Sequence, residues 1–446
     1  MSSRPIGIDL FAGAGGMSLG FEQAGFDIRA CVEIDPVHCA VHKFNFPDCA
    51  VIPRSVAAVT AQEIRAAAGI GDATVDCVFG GPPCQGFSLI GHRVLDDPRN
   101  ALVQEFVRLV AELGARTFVF ENVKGLTLGL HRKVLDEIVS AFDEVGYDVR
   151  LPWQVLDAAE HGVPQRRQRL ILFGAKRGTP LPVYPASITR PADRVRGTAD
   201  LPPGPTCKEA LDDLPDANAF DVLNASDAVR TAAYRTPSRY AAEMRCLSND
   251  AWHHGYARTW DPAVLTSSWR TEHTAISQAR FAATLPGLTE PISRFYKLRP
   301  DGLSNTLRAG TDGARGAFTS PRPIHYAHPR CITVREMARL HGFPDWFRLH
   351  WTKWHGARQI GNAVPPPLAR AVATEVIRAL GVVAKRPRKV MTLGAVDLLY
   401  MGSSEAARHF GVPAPNGKRD RKSGARKRSQ GETEQARLAA LAAYHG

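Results

Sequence analysis

The sequence predicts an α/β protein built on a doubly wound, mostly parallel sheet, with a second, smaller irregular domain. Two observations carry this prediction. Through the first 175 residues, short apolar runs of strand length alternate with amphipathic stretches of helical period, the pattern of strands joined by crossover helices. Residues with chemical potential also recur at the carboxyl ends of those runs, where open α/β sheets place their ligands.

The elements follow in order. Residues 5–11 read as a first buried strand, then Ala12-Gly13-Ala14-Gly15-Gly16 makes a glycine turn before a helix over 17–24. Taken alone the turn is also compatible with a plain tight turn. It departs from the dinucleotide fingerprint, because Ser18 stands at the third spaced glycine. Adenosine bound without a pyrophosphate suits it better, with Phe11 offering a ring face to the purine. A second strand over 28–33 ends in Glu33, placed to accept hydrogen bonds from ribose hydroxyls. Helices over 36–44 and 61–68 lead to a strand over 75–79. Gly80-Gly81-Pro82-Pro83-Cys84-Gln85-Gly86-Phe87-Ser88 then forms a stiff loop with a thiol at its tip. A helix over 102–113, a strand over 117–120 ending in Glu121-Asn122-Val123, and a helix over 134–145 come next. Strand segments over 147–155 and 170–173 flank His161–Arg169.

The pattern then breaks. Residues 177–206 contain seven prolines, as expected of a domain entry. Periodicity is weak over 207–326, where Trp252, Trp260 and Trp269 stand among Arg, His and Thr, with a glycine-rich basic stretch over 307–316. Such loops suit a nucleic-acid backbone, although a solvated irregular domain with its own core fits the composition equally well. Thr333 and Glu336 form a capping-box pattern for a helix over 333–340. Residues 359–366 are expected to open a further helix running to about 380. The predicted divisions are 1–176, 177–327, 328–383 and a basic, partly disordered tail over 384–446. Within that tail, Ser404–Val412 reads as a short amphipathic helix rather than a helix-turn-helix start.

Composition narrows the function. The chain has 446 residues and a formal charge of +12. Residues 384–446 carry +8 of it, so the body is only mildly basic. That balance suits a polyanionic partner. No apolar run is long enough to span a bilayer, and no signal-peptide pattern opens the chain. Eight scattered cysteines fit a reduced, intracellular protein. His38, Cys39, His42 and Cys49 offer metal-binding atoms, but no second ligand pair at standard spacing follows, and no metal is expected.

The residues permit one specific chemistry. Glu121 at a ring nitrogen and Arg169 at the neighbouring carbonyl could grip the polar edge of a pyrimidine. Cys84 as thiolate could then add to carbon 6, making carbon 5 nucleophilic toward a sulfonium methyl donor. Carbon 6 is inaccessible in a stacked duplex, so the base must be flipped out.

With these residues assembled, the chain resembles the bacterial DNA (cytosine-5) methyltransferases over about 1–175 and 328–380. Asp9-Leu10-Phe11-Ala12-Gly13-Ala14-Gly15-Gly16 resembles the S-adenosylmethionine motif and Glu33-Ile34-Asp35 the ribose-binding motif. Gly81-Pro82-Pro83-Cys84-Gln85 resembles the catalytic loop, and Glu121-Asn122-Val123 the motif whose Glu contacts cytosine. Gln165-x-Arg167-x-Arg169 is similar to the motif whose last Arg faces the base, and Gly361-Asn362-Ala363-Val364 to the motif completing the cofactor site. The resemblance implies catalysis by Cys84, Glu121, Arg167 and Arg169. It implies cofactor contacts from Phe11, Gly13, Gly15, Glu33, Ile34, Asn362 and Val364, and substrate-loop contacts from Pro83, Gln85, Ser88 and Gln165. It also implies S-adenosylmethionine as methyl donor, double-stranded DNA as substrate and a target recognition domain between Arg169 and Thr333. A monomer in the bacterial cytoplasm, associated with the nucleoid and accompanied by a separate restriction endonuclease, is expected. One departure stands out: where the family's third strand ends in an Asp at the adenine amino group, this chain has Ser55. The weighed alternatives are an RNA cytosine-5 methyltransferase and a non-catalytic DNA-binding protein on the same fold. A nicotinamide dehydrogenase leaves Pro83-Cys84-Gln85 unexplained.

Overall fold

The computed structural model describes residues 4–83, 101–127, 132–193, 201–311 and 321–414. Cys84, Gln85, Ser88, most of the glycine-rich stretch after Leu307, and the basic run Lys418–Arg428 lie outside the described residues.

An eight-stranded sheet forms the centre. Its strands are β1 (Ile6–Leu10), β2 (Asp27–Val32), β3 (Ala50–Ile52), β4 (Cys77–Gly80), β5 (Thr117–Val123), β6 (Tyr147–Val149), β7 (Gln154–Asp157) and β8 (Gln168–Lys176). The spatial order is β3-β2-β1-β4-β5-β8-β6, with β7 also pairing β8. Pairs among β1–β5 are parallel, whereas β8 runs antiparallel to β5, β6 and β7. The expected single strand over 147–155 is therefore two strands, which meet opposite ends of β8.

Side-chain alternation assigns the faces. Ile8, Leu10, Val32, Val78, Phe118, Phe120, Leu170 and Leu172 point into one core with α3 (Ala61–Ala68), α4 (Ala101–Glu112) and α5 (Arg132–Glu144). Cys31, Phe79, Val119, Ile171 and Phe173 point into the other, with α1 (Gly16–Ala24) and α2 (Pro36–Asn45). The period-2 pattern is thus apolar on both faces, as a sheet covered on both sides requires. Gly20 lets α1 touch its neighbour, since a Cβ there would lie 2.4 Å from the Ala369 methyl.

The segment after β8 begins as extended chain. It then forms the short helices α6 (Cys207–Leu211), α7 (Arg239–Met244) and α8 (Ala275–Ala283), and the short strands β9 (Val229–Arg230), β10 (Ala257–Thr259) and β11 (Val264–Leu265). It packs on α9 (Val334–His341), whose capping box uses Thr333 and Glu336. Buried Arg339 on α9 bonds Asp213, Asp345 and the Ala210 carbonyl, fastening that segment to the helix. The expected helix over 359–380 divides: α10 (Lys353–Asn362) ends within the Gly361-Asn362 motif, and α11 (Pro366–Ala379) starts afresh behind Pro365.

Beyond 384 the described residues run to Ala414, and the short helix expected over Ser404–Val412 is present as a helix over Ser403–His409. β12 (Val390–Thr392) pairs in parallel with β10, and α12 (Ser403–His409) packs on α2. Met391, Leu398, Leu399, Ala406 and Ala407 are buried. The strand is too short to show periodicity, yet both pieces find an apolar surface supplied by the body.

Candidate active site

Four loops meet at the carboxyl ends of β1, β2, β4 and β5. Phe11 follows β1 with a positive φ of 65°, a costly conformation for a bulky residue and one that clusters at functional sites. Gly13, also at positive φ, donates its backbone N–H to Glu33 Oε2 at 2.8 Å, and Asp35 N–H donates to Glu33 Oε1 at 2.8 Å. The carboxylate is thereby pinned at the mouth of the turn. Beside it Ile34 is 68 % exposed, an apolar side chain held at the crevice rim. Gly16 abuts the Val364 carbonyl, since a Cβ there would sit 2.7 Å from that oxygen. The Ala363–Val364 backbone thus packs against the glycine turn. A pinned acceptor, an exposed aliphatic side chain and a glycine wall suit an adenosine ligand carrying free ribose hydroxyls. Asp9, buried under the turn, accepts a 2.5 Å bond from Ser18 Oγ, and burial pushes its carboxyl up to about 8 against that bond. Ser55 spends its hydroxyl on capping, accepting from Ala57 N–H at 3.3 Å.

A second cluster lies one strand over. Glu121 near the end of β5 is buried, and Arg169 Nε stands 2.7 Å from its Oε1. Burial pushes the Glu121 carboxyl up, while Arg169 and then Arg167 oppose the shift; the net direction is upward. Gly81 is indispensable here, because a Cβ at that position would lie 2.4 Å from Glu121 Oε2. Asn122 Nδ2 donates to the Pro82 carbonyl at 2.9 Å, so the residue after Glu121 holds the start of the cysteine loop. Pro83, exposed, is the last described residue before Cys84.

Two residues expected at the substrate are placed elsewhere. Arg167 is 1 % exposed, and its guanidinium donates to the Leu307 carbonyl at 2.9 Å and the Gly361 carbonyl at 2.7 Å. Gln165 is wholly buried. Its amide faces His341 Nδ1 and the Leu340 carbonyl, and its Oε1 accepts from Leu307 N–H. His341 Nε2 donates to the Ala363 carbonyl at 3.1 Å, which leaves Nδ1 as the acceptor for Gln165. Both side chains therefore brace the crevice wall. Sequence reasoning did not single out Gly81, Asn122 or His341 as site residues; Asn122 was visible only as the neighbour of Glu121.

The fold and these two clusters define a methyltransferase-type sheet whose adenosine crevice adjoins a carboxyl–guanidinium pair. The family model described as C-5 cytosine-specific DNA methylase matches residues 7–378, and the chain belongs to that family. It is 55% identical over 410 residues to Type II methyltransferase M.XorII of Xanthomonas oryzae pv. oryzae, covering 92% of this chain and 93% of that protein. It is 33% identical over 378 residues to Type II methyltransferase M1.HphI of Haemophilus parahaemolyticus, covering 83% and 86%. Among solved structures, a protein from E. coli described as a prophage-encoded DNA modification methyltransferase superposes with a TM-score of 0.66 at 33% identity, covering 84% of this chain and 99% of that one. The protein is a DNA cytosine-5 methyltransferase of the restriction-modification kind, and its methyl donor is S-adenosylmethionine.

Proposed function

We propose that Cys84, Glu121 and Arg169 act together on a cytosine swung out of duplex DNA. The observation that carries this reading is the buried Arg169–Glu121 pair beside the start of the Pro82-Pro83-Cys84 loop. Glu121, whose carboxyl burial pushes up from the ordinary range, hydrogen-bonds the ring nitrogen, and Arg169 orients it and faces the adjoining carbonyl. The Cys84 thiolate adds to carbon 6, so carbon 5 becomes the nucleophile. S-adenosylmethionine, when bound, supplies the electrophilic methyl group. Phe11, Gly13, Glu33 and Ile34 orient its adenosine end, and Asn362 with Val364 close the crevice over it. Loss of the carbon 5 proton and expulsion of the thiolate then regenerate Cys84.

Arg167 and Gln165 serve as positioning residues. The intervening segment, anchored to the catalytic body through Leu307 and Arg339, recognises the target sequence. A cytoplasmic monomer working beside a separate restriction endonuclease fits this assignment. The test is Cys84→Ser. Labelled methyl transfer to DNA is expected to vanish while binding in a gel-shift assay persists. Normal turnover by that variant overturns the covalent role.

A further inference from the structure

Beneath the cofactor turn lies a buried cluster for which methyl transfer has no use. Cys31 near the end of β2, His42 in α2 and Cys49 immediately before β3 bring their ligating atoms within 4.8 Å of one another, and all three side chains are buried. We propose that Cys31, His42 and Cys49 form a site for a thiophilic divalent cation, Zn²⁺, that ties β2, α2 and β3 together under the glycine turn.

Three features carry the proposal. The first is spacing. Cys31 Sγ is 3.4 Å from His42 Nδ1. With zinc–sulfur bonds of about 2.3 Å and zinc–nitrogen bonds of about 2.0–2.1 Å, the sulfur–nitrogen edge of a tetrahedron is about 3.5 Å.

The second is orientation. His42 Nε2 lies 3.0 Å from Ser18 Oγ, which donates to Asp9 Oδ2 at 2.5 Å. With the Ser18 proton directed to Asp9, its oxygen accepts from His42 Nε2–H, and the Nδ1 lone pair faces Cys31. A hydrogen-bonded polar group on the far ring nitrogen is how proteins aim a metal-ligating imidazole.

The third is charge. Zn²⁺, two thiolates and a neutral imidazole sum to zero, so the loaded site adds no net charge to the core. Loading releases the two thiol protons. Before loading, the Cys49 thiol contacts the Ala50 carbonyl at 3.7 Å and hydrogen-bonds the Cys31 thiol. Ordinary packing would account for the two cysteines as small apolar groups, and a thiol–imidazole hydrogen bond for the Cys31–His42 pair alone, but the second buried thiol brought within 4.8 Å of both completes a set of three ligating atoms. Cys39, one turn before His42 and also buried, gives its thiol to the Glu33 carbonyl at 3.3 Å and is not among the three ligating groups.

Sequence spacing suggested His38 instead, but its ring turns to Glu33 and Asp35 at 3.8 Å each, while Cys31 arrives from the neighbouring strand. The location implies a structural role. A Cβ on Gly15 would lie 3.0 Å from a His42 ring carbon, so the site sits against the cofactor turn.

The test uses the full chain, expressed with zinc in the medium and purified without chelator. Mass spectrometric metal analysis is expected to find about one zinc per chain. Replacement by cobalt should give sulfur-to-metal absorption in the near ultraviolet. Cys49→Ser should cut metal content at least about tenfold, which separates this site from surface histidines. Should that variant fail to fold, wild type alone decides: chelator extraction should lower Tm, and zinc should restore it. Wild type holding less than about 0.1 equivalent, an unchanged Tm after extraction, or a Cys31–Cys49 disulfide in freshly purified protein each overturns the proposal.

Discussion

Arg169 Nε and Glu121 Oε1 stand 2.7 Å apart on neighbouring antiparallel strands, in diagonal register: Arg169 lies opposite Val123, and Glu121 opposite Ile171. Diagonal neighbours are within reach only of long side chains, and here the long partner is the cation. The pair is nearly closed to solvent, so burial raises the Glu121 carboxyl even with two arginines opposing it. Glu121→Gln keeps the shape but cannot deliver a proton to a ring nitrogen. Single-turnover methyl transfer should slow by about 100-fold or more, with DNA affinity changed little. An unchanged rate would remove Glu121 from the chemistry.

The tightest approach to that carboxylate is made by a backbone. Gly81→Ala would put a methyl carbon 2.4 Å from Glu121 Oε2, and the carboxylate can retreat only by loosening its hold on Arg169. Gly81 does not have a positive φ among the described glycines, so the substitution is not strained by backbone conformation. Transfer should drop about tenfold or more while Tm moves by only a few degrees. Measuring both in one preparation checks it; equal activity with the native enzyme defeats the packing argument.

How far the site was legible follows from these residues. Glu33, Glu121 and Arg169 could be placed because strands end at recognisable punctuation and strand ends converge in this architecture. Arg167 and Gln165 could not be sorted from Arg169, because two-residue spacing says nothing about which carbonyls lie opposite. Their partners, Leu307, Leu340 and Gly361, are distant in sequence. His341 was invisible for the same reason. Apart from the three-residue β3, the strands and helices of the sheet were readable from period alone. α12 was readable as a short amphipathic helix, but β12 was not, and neither was the burial of either, which depends on surfaces supplied by β10 and α2.

Stability should depend on an ion pair outside the reaction. Arg330 meets Glu336 through two parallel 2.8 Å bonds, and Glu336 also accepts from Thr333 N–H at the start of α9. Burial opposes ionisation of Glu336, but Arg330 outweighs it and pulls the carboxyl down to about 2. A depressed folded-state value means the contribution is present above the unfolded value of about 4.5 and is lost as pH falls toward 2. Glu336→Gln leaves Arg330 buried with Asp216 as its remaining acidic partner, and should cost about 3–5 kcal/mol at pH 7. Urea unfolding of both proteins should show the gap narrowing between pH 4.5 and 3. A gap independent of pH would contradict the assignment.

The C-terminal region calls for two truncations rather than one. Lys418–Arg428 holds seven Lys/Arg and one Asp, a segment suited to phosphates without regard to sequence. Ending the chain after Ala414 removes it but keeps β12 on β10 and α12 on α2. For every phosphate that the shortened chain no longer neutralises, the salt dependence of DNA affinity should flatten by about 0.9 in the logarithmic slope, with Tm unchanged. Ending after Val383 also removes the buried Met391, Leu398 and Leu399. It should therefore lower Tm, and any loss of DNA binding would be confounded with unfolding. The two effects separate because β12 and α12 precede the basic run in the chain. Identical salt slopes for the full chain and the version ending at Ala414 would exclude the basic run from DNA binding and leave phosphate neutralisation to the folded body.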